Sequence, residues 1–387
     1  MHSKASVEQQ LDILLSEPPA AAAERARNEL QLDGRRIVVL YGAGTLGMAV
    51  LERMRRAGVE PAAFADDTPQ KQGTTAAGVP ILSPELAAEK FGSNAIFVVT
   101  ILNPMLRFVD AKKRLQRITR GLVVSFIHLA WALPAAFLPY EQFELPERVL
   151  AKRDAIDAAF HLFADDESRR QFIAHLRFRL LIDHAALPEN SRADYFPSDV
   201  FAPLPTGTVF VDCGAYDGDT VRRFLVEQKG DFGSIHAFEP DPANFGRLRA
   251  YVDALDDAVR ERIHVYNAAV GDRPGKLRFN TTGNMAASLS ESGETEVDVV
   301  RVDDFVASPG RVTYVKYDVE GAEWAALRGT DRLIRASLPL LAVSVYHHPD
   351  DLWELPRYLD GLALDYRLFL RTQGEDGMDV ICYAVPS

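Results

Sequence analysis

The chain has 387 residues, 47% hydrophobic and 25% charged. That is enough apolar material for two or three cores, and it excludes a disordered or low-complexity chain. The net charge of −12, from 43 basic and 55 acidic side chains, argues against a nucleic-acid backbone as partner. The imbalance is local. Residues 1–200 carry 24 basic and 25 acidic side chains, and residues 201–387 carry 19 and 30.

Residues 1–34 read as a polar-faced helical segment without a secretory apolar core. The two cysteines, Cys213 and Cys382, can form neither a disulfide framework nor a zinc site, so a reducing, cytoplasmic setting is expected. Ile37–Tyr41 is an apolar run of strand length. The loop Gly42-Ala43-Gly44-Thr45-Leu46-Gly47 follows it, and a helical pattern from Met48 stops at Gly58. Glycines between a strand and a helix let backbone N–H groups approach an anionic pyrophosphate. Asp66, 19 residues after Gly47, stands where a ribose-binding carboxylate is expected. Gly42, Gly44, Gly47 and Asp66 are therefore a candidate second nucleotide site. A loop that binds nothing, in a fold that has outlived its function, remains the alternative.

Ala95–Thr100 reads as another strand, with Asn103-Pro104 opening a basic helix to Arg120. Leu122–Leu138 is uncharged over 17 residues. It is short for a membrane span and reads as a buried strand and a turn. Strands alternating with helices predict a parallel α/β domain over residues 35–130. Residues 131–207 read as a helical connector, a place for a homodimer contact or a lid. Its amphipathic helices run from Pro146 to about Phe163 and from about Asp166 to Asp183. Prolines 188, 197, 203 and 205, Gly207 and the Asn190 turn mark the strongest boundary.

A second α/β unit is expected over residues 208–387. Its strands are Val209–Val211, Ser234–Phe238, His264–Asn267, Tyr314–Asp318 and Leu341–Tyr346. Tyr366–Leu370 and Val380–Ala384 form an antiparallel pair at one sheet edge. Lys276–Arg301 alternates like a pair of small inserted strands. The loop Asp212-Cys213-Gly214-Ala215-Tyr216-Asp217-Gly218-Asp219-Thr220 makes the same turn as the first, but with three aspartates. They would repel a pyrophosphate and suit a ligand with a cationic centre and hydroxyls, such as S-adenosylmethionine. Glu239, at the end of the next strand, is placed to accept hydrogen bonds from ribose hydroxyls.

The first domain, from Phe64 through Asp66-Asp67 to Leu82, resembles the small N-terminal Rossmann domains of sugar-modifying enzymes, some of which bind nucleotide-sugars. The second resembles FkbM-type S-adenosylmethionine-dependent methyltransferases. The resemblance rests on Asp212–Thr220, Phe238-Glu239-Pro240, Asn267-Ala268-Ala269-Val270-Gly271, Val302–Phe305 and Lys316-Tyr317-Asp318-Val319-Glu320-Gly321-Ala322-Glu323, in that order. It implies two Rossmann-like domains, the second with a class I methyltransferase sheet. That sheet is mostly parallel, with an antiparallel edge hairpin. The resemblance also implies cofactor contacts from Asp212, Gly214, Asp217, Gly218, Thr220, Glu239, Pro240, Asn267 and Ala268. The acceptor it implies is a hydroxyl of a sugar, glycan or secondary metabolite. Where many members carry an acid in the fifth strand, this chain reads Tyr346-His347-His348.

Methyl transfer to a hydroxyl needs a proton acceptor or a metal. His347 is the first choice of base, with Asp318 beside it, and His348 should point away if the strand continues that far. Alternatively Asp318, Glu320 and His347 hold Mg2+ or Mn2+, which suit such ligands better than zinc does. Glu323 reads equally well as a helix cap, and Lys316 as the partner neutralising Asp318. Tyr195 reads as a cover for the site or as a linker anchor. Two other functions stay open: a nucleotide-sugar or NAD enzyme working through the first loop, and a non-catalytic binding protein.

Overall fold

The computed structural model describes residues 6–30, 32, 36–101, 107–191, 193–279, 295–306 and 312–387. The chain divides into two compact units. The first comprises Met1–Asp157, Arg170–Glu189 and Gly374–Met378, and the second comprises Ala158–Arg169, Asn190–Gln373 and Asp379–Ser387. The expected connector is thus not a third body. Its helices, Arg153–Leu162 and Asp166–Leu181, are shared out between the units, and the main break falls at Glu189, inside the proline-rich stretch.

The first unit begins with helices Val7–Leu15 and Pro19–Glu29. A six-stranded sheet follows, made of β1 (Ile37–Tyr41), β2 (Ala63–Ala65), β3 (Thr75–Ala76), β4 (Val79–Leu82), β5 (Ala95–Val99) and β6 (Leu122–Ser125). The order is β3-β4-β2-β1-β5-β6, parallel except for the short β3–β4 pair. Its central strands are buried on both faces, which is why they read as unbroken apolar runs. The expected strand at the start of Leu122–Leu138 is β6, but helices Ile127–Ala132 and Pro134–Phe137 follow it in place of a turn. A short apolar run alone does not separate buried helix from buried strand. The basic helix is Phe108–Leu115, and Asn103-Pro104 lies outside the described residues.

The second unit holds β7 (Thr208–Cys213), β8 (Phe232–Phe238), β9 (Ile263–Tyr266), β10 (Ala269–Val270), β11 (Gly275–Phe279) and β12 (Thr295–Val300). It continues with β13 (Val312–Tyr317), β14 (Leu340–Ser344), β15 (Tyr366–Thr372) and β16 (Val380–Pro386). Seven of these form one sheet in the order β15-β16-β14-β13-β7-β8-β9. The expected hairpin is present and antiparallel. Its second strand is not the edge, because β16 inserts beside β14. The predicted inserted strands appear as β11 and β12, paired antiparallel, with β10 added parallel. Strand order reverses at β7, so β8 and β13 leave it in opposite directions. The carboxyl ends at this reversal are where open α/β sheets bind ligands.

Candidate active site

The loop after β7 begins at Gly214, with φ +89, a conformation that costs a side-chain-bearing residue energy. A Cβ there would lie 1.8 Å from the Asp318 carbonyl oxygen, so the ends of β7 and β13 approach as only glycine permits. Asp318 N–H donates to the Cys213 carbonyl at 3.0 Å and completes the junction.

Lys316, on β13, is buried beneath this junction. Its Nζ donates to Asp212 Oδ1 at 3.0 Å and to the Gly214 carbonyl at 2.7 Å, and lies 3.9 Å from Asp318 Oδ2. Lys316 therefore neutralises Asp212 first and Asp318 second, where the sequence pairs it with Asp318. Burial works against its charge, but Asp212 and Asp318 outweigh burial and raise its pKa. Burial pushes Asp212 up to about 6 against the pull of Lys316. Both are ionised at neutral pH, and Asp212 Oδ2 is buried without a hydrogen-bond partner.

The loop is less negative than its three aspartates imply. Asp217 pairs with Arg222, and Asp219 Oδ1 accepts the N–H of Thr220 at 2.7 Å. Gly218 caps the helix Asp219–Gln228. After β8, Glu239 is buried, with Oε2 accepting Tyr216 N–H at 2.9 Å and Oε1 accepting Asp241 N–H at 2.8 Å. Burial outweighs these bonds and pushes its pKa up to about 7. Asn267 Nδ2 donates to the Glu239 and Pro240 carbonyls at 2.9 and 3.0 Å, fixing the turn that carries the acid. Ala268 is buried beside it.

A second group of side chains gathers at the ends of β13 and β14. Asp318 is 23% exposed. Its Oδ1 accepts Ser344 Oγ–H and its Oδ2 accepts Tyr195 O–H, both at 2.8 Å. Burial would raise its pKa, but Lys316, His347 and these two hydroxyls hold it below the usual value. Tyr195 also covers Lys316, whose Nζ is 4.9 Å from the ring centroid. It therefore packs against both Asp318 and Lys316.

His347 Nδ1 is 2.9 Å from Glu323 Oε1, which also accepts Val319 N–H at 2.9 Å. The ring's Nε2 lies 3.5 Å from Glu320 Oε2 and 3.7 Å from Asp318 Oδ1. Burial opposes a charge on the ring, but the three carboxylates outweigh it and push the pKa up to about 10. His347 is thus an imidazolium at neutral pH in this arrangement, not the ready base that the sequence suggests. Glu323 is a histidine holder as well as a local cap. Ligand-type atoms of Asp318, Glu323 and His347 lie within 4.8 Å of one another.

His348 would point away from His347 only if the strand continued that far, and β14 ends at Ser344, so strand alternation does not apply there. His348 Nε2 sits 2.9 Å from the Gly321 carbonyl, so both histidines meet the turn after β13. Sequence reasoning missed Ser344 and Asp379. Asp379 accepts Tyr346 O–H at 3.0 Å, and burial and Asp318 push its pKa up to about 6. The acid-rich turn between the last two strands was the available signal.

At the first unit's glycine loop, Asp66 is already engaged. Its Oδ2 accepts the Ala43 N–H at 2.8 Å and the Lys71 ammonium at 3.0 Å, and its Oδ1 accepts Thr68 N–H at 2.9 Å. The carboxylate thus satisfies a loop N–H that a phosphate would need.

Residues 212–374 match the model of the methyltransferase FkbM domain. The chain is thus similar to FkbM methyltransferases over that stretch. Over its whole length it is similar to the methyltransferase FkbM of Methylobacillus flagellatus KT. That likeness has a TM-score of 0.75 and 23% identity, and covers 98% of each chain. It supports the two-unit α/β fold. Methyltransferase 1 of Beauveria bassiana (strain ARSEF 2860) is 30% identical over a stretch covering 34% of this chain and 61% of that relative. The FkbM domain model begins at Asp212 and takes in the β7 loop, the Glu239 turn and the turn after β13. No helix among the described residues is long and apolar enough to cross a membrane.

Proposed function

We propose that this protein is an S-adenosylmethionine-dependent O-methyltransferase acting on a hydroxyl of a sugar, glycan or secondary metabolite. Asp212, Glu239 and Asp318 at the carboxyl ends of three adjacent strands, β7, β8 and β13, carry the reading. The cofactor fits this donor set. Glu239 retains lone pairs for two ribose hydroxyls. The buried Asp212 Oδ2, without a partner, suits a donor or cation rather than a phosphate. The bound cofactor supplies an electrophilic methyl group on a sulfonium.

The chain's own residues position the acceptor and handle its proton. Asp318 is held by Ser344 and Tyr195, so its reach into the site is fixed in advance, as in-line transfer requires. Carboxylates, a tyrosine and a serine hydroxyl together suit hydroxyl groups better than anions. Asp318 is the carboxylate that takes the acceptor's proton, and the His347 imidazolium hydrogen-bonds the acceptor oxygen. The buried, unpaired Cys213 and Cys382 support work in a reducing compartment, the cytoplasm.

Isothermal titration with S-adenosylhomocysteine tests the reading. The wild type should bind at one site, and Glu239→Ala should weaken binding by about tenfold or more, since each lost ribose hydrogen bond to a charged acceptor removes roughly 1.5–3 kcal/mol. A folded wild type that shows no binding at millimolar ligand would sink the assignment.

A further inference from the structure

We propose that His347, Asp318 and Glu320 form a binding site for one divalent cation of the Mn2+ or Mg2+ class, on the acceptor side of the proposed methyl-transfer site. Its role in catalysis rests on that reading, but its existence does not. His347 is the first observation. Its side chain is 6% exposed, and Nε2 is buried with no hydrogen-bond partner. Buried polar atoms are rarely left so without a reason. This one is aimed at two carboxylates, Glu320 Oε2 at 3.5 Å and Asp318 Oδ1 at 3.7 Å. Those separations are too long for hydrogen bonds. They match two ligands sharing one cation with bonds of about 2.1 Å.

The outer groups are the second, independent observation. A metal-ligating histidine almost always gives its other ring N–H to a carboxylate or carbonyl. Here Glu323 Oε1, fully buried, holds Nδ1 at 2.9 Å. That bond orients the ring so that Nε2, once a cation displaces its proton, presents its lone pair between Asp318 and Glu320. Glu323 is accordingly the orienting group rather than a ligand. Asp318 is held in the same way, by Ser344 on Oδ1 and Tyr195 on Oδ2, and Oδ1 keeps a second lone pair. One imidazole with two carboxylates favours Mn2+ or Mg2+ over zinc.

A cation here would do what neither side chain does well alone. A hydroxyl bound to it loses its proton to bulk water more readily. The oxygen's electron pair then forms the C–O bond as the S–CH3 bond breaks, and that bond's pair stays on sulfur as a neutral thioether. Nothing else is consumed.

Metal-stripped full-length protein, titrated with Mn2+ and followed by the loss of the free-ion electron paramagnetic resonance signal, tests the site. One Mn2+ should bind per chain. Asp318→Asn and His347→Ala should each weaken it by about a hundredfold, and Glu323→Gln by about tenfold, as outer-group changes do. Glu320→Gln, on the exposed turn, guards against a folding failure at the buried positions and should also weaken binding. A folded wild type that takes up no Mn2+ at millimolar concentration overturns the proposal. So does uptake unchanged by both Asp318→Asn and Glu320→Gln. Titration of the same samples with S-adenosylhomocysteine separates the two ideas. Cofactor binding without Mn2+ uptake removes only the cation site, and Mn2+ uptake without cofactor binding removes only the methyl-transfer reading.

Discussion

Glu239 places a carboxylate where burial penalises its charge, and the cost has a sign that can be measured. Its pKa rises from an ordinary 4.5 to about 7. Between those values the folded chain keeps a proton that the unfolded chain has lost. Stability from this group therefore falls as pH rises through that window, and the loss is complete above pH 7. Glu239→Gln removes this titration but gives up one of the two N–H bonds, so between pH 5 and pH 8 its stability should shift by about 1–3 kcal/mol in its favour relative to the wild type, from about 1.4 kcal/mol per unit of pKa. Urea melts of both proteins at the two pH values measure it. An equal offset at both would mean that the carboxylate is not strained. Cofactor affinity should drop in the same variant, because stability is given up here for a site. Lys316 is the opposite case. Lys316→Met would leave the buried Asp212 without its cation, and removing one partner of such a pair costs about 3–5 kcal/mol. The melting midpoint should fall accordingly, and an unshifted midpoint would show that Asp212 is neutral.

At the scale of elements, the closest backbone approach in the site is testable by contrast. Gly214 and Gly230 both have strongly positive φ, +89 and +83. At Gly230 a Cβ would meet nothing within 4 Å, whereas at Gly214 it would collide with the Asp318 carbonyl. Gly230→Ala should cost only the conformational penalty, about 1–2 kcal/mol. Gly214→Ala must also push the ends of β7 and β13 apart, and should both unfold more easily and lose cofactor binding. Comparable melting curves for the two variants would mean that the junction yields.

The same elements show what the sequence makes legible. β7, β13 and β14 were readable because strands buried on both faces are mainly apolar runs, and the acids Asp212 and Asp318 at the ends of β7 and β13 lie close to the turn-forming Gly214 and Gly321. The place of β16 inside the sheet was not, since pairing partners leave no trace in a single strand's pattern. Nor was the orientation of His347 and His348 legible, because alternation holds only while the strand does, and β14 ends at Ser344. Tyr195 and Asp318 meet across 123 residues of sequence, a distance no local pattern spans.

At the scale of the whole molecule, the second unit is not the contiguous piece that the family match outlines. It recruits Ala158–Arg169 from before the main break. That segment lies along β15. Phe163 bridges Leu368, Ala164 N–H donates to the Leu368 carbonyl at 2.8 Å, and Ser168 Oγ accepts Leu370 N–H at 2.9 Å. The buried Arg371 guanidinium reaches Asp165 at 2.7 Å and Asp199 at 2.7 Å. A fragment from Asn190 to Ser387 contains every residue of the family match and the whole candidate site. It would nevertheless leave β15 an open edge and Arg371 with one of its two carboxylates. It would also lose the buried Phe163, worth about 1.5–3 kcal/mol. With one buried cation half-paired at a further cost of a few kcal/mol, the sum approaches the total stability of an ordinary domain, about 5–15 kcal/mol. The fragment should be unfolded or aggregated by circular dichroism and urea titration, whereas one beginning at Arg153 should keep these contacts and melt cooperatively. Equal cooperative melts for the two would show that the β15 edge is stable without the recruited segment, and that the family's boundary is also the folding boundary.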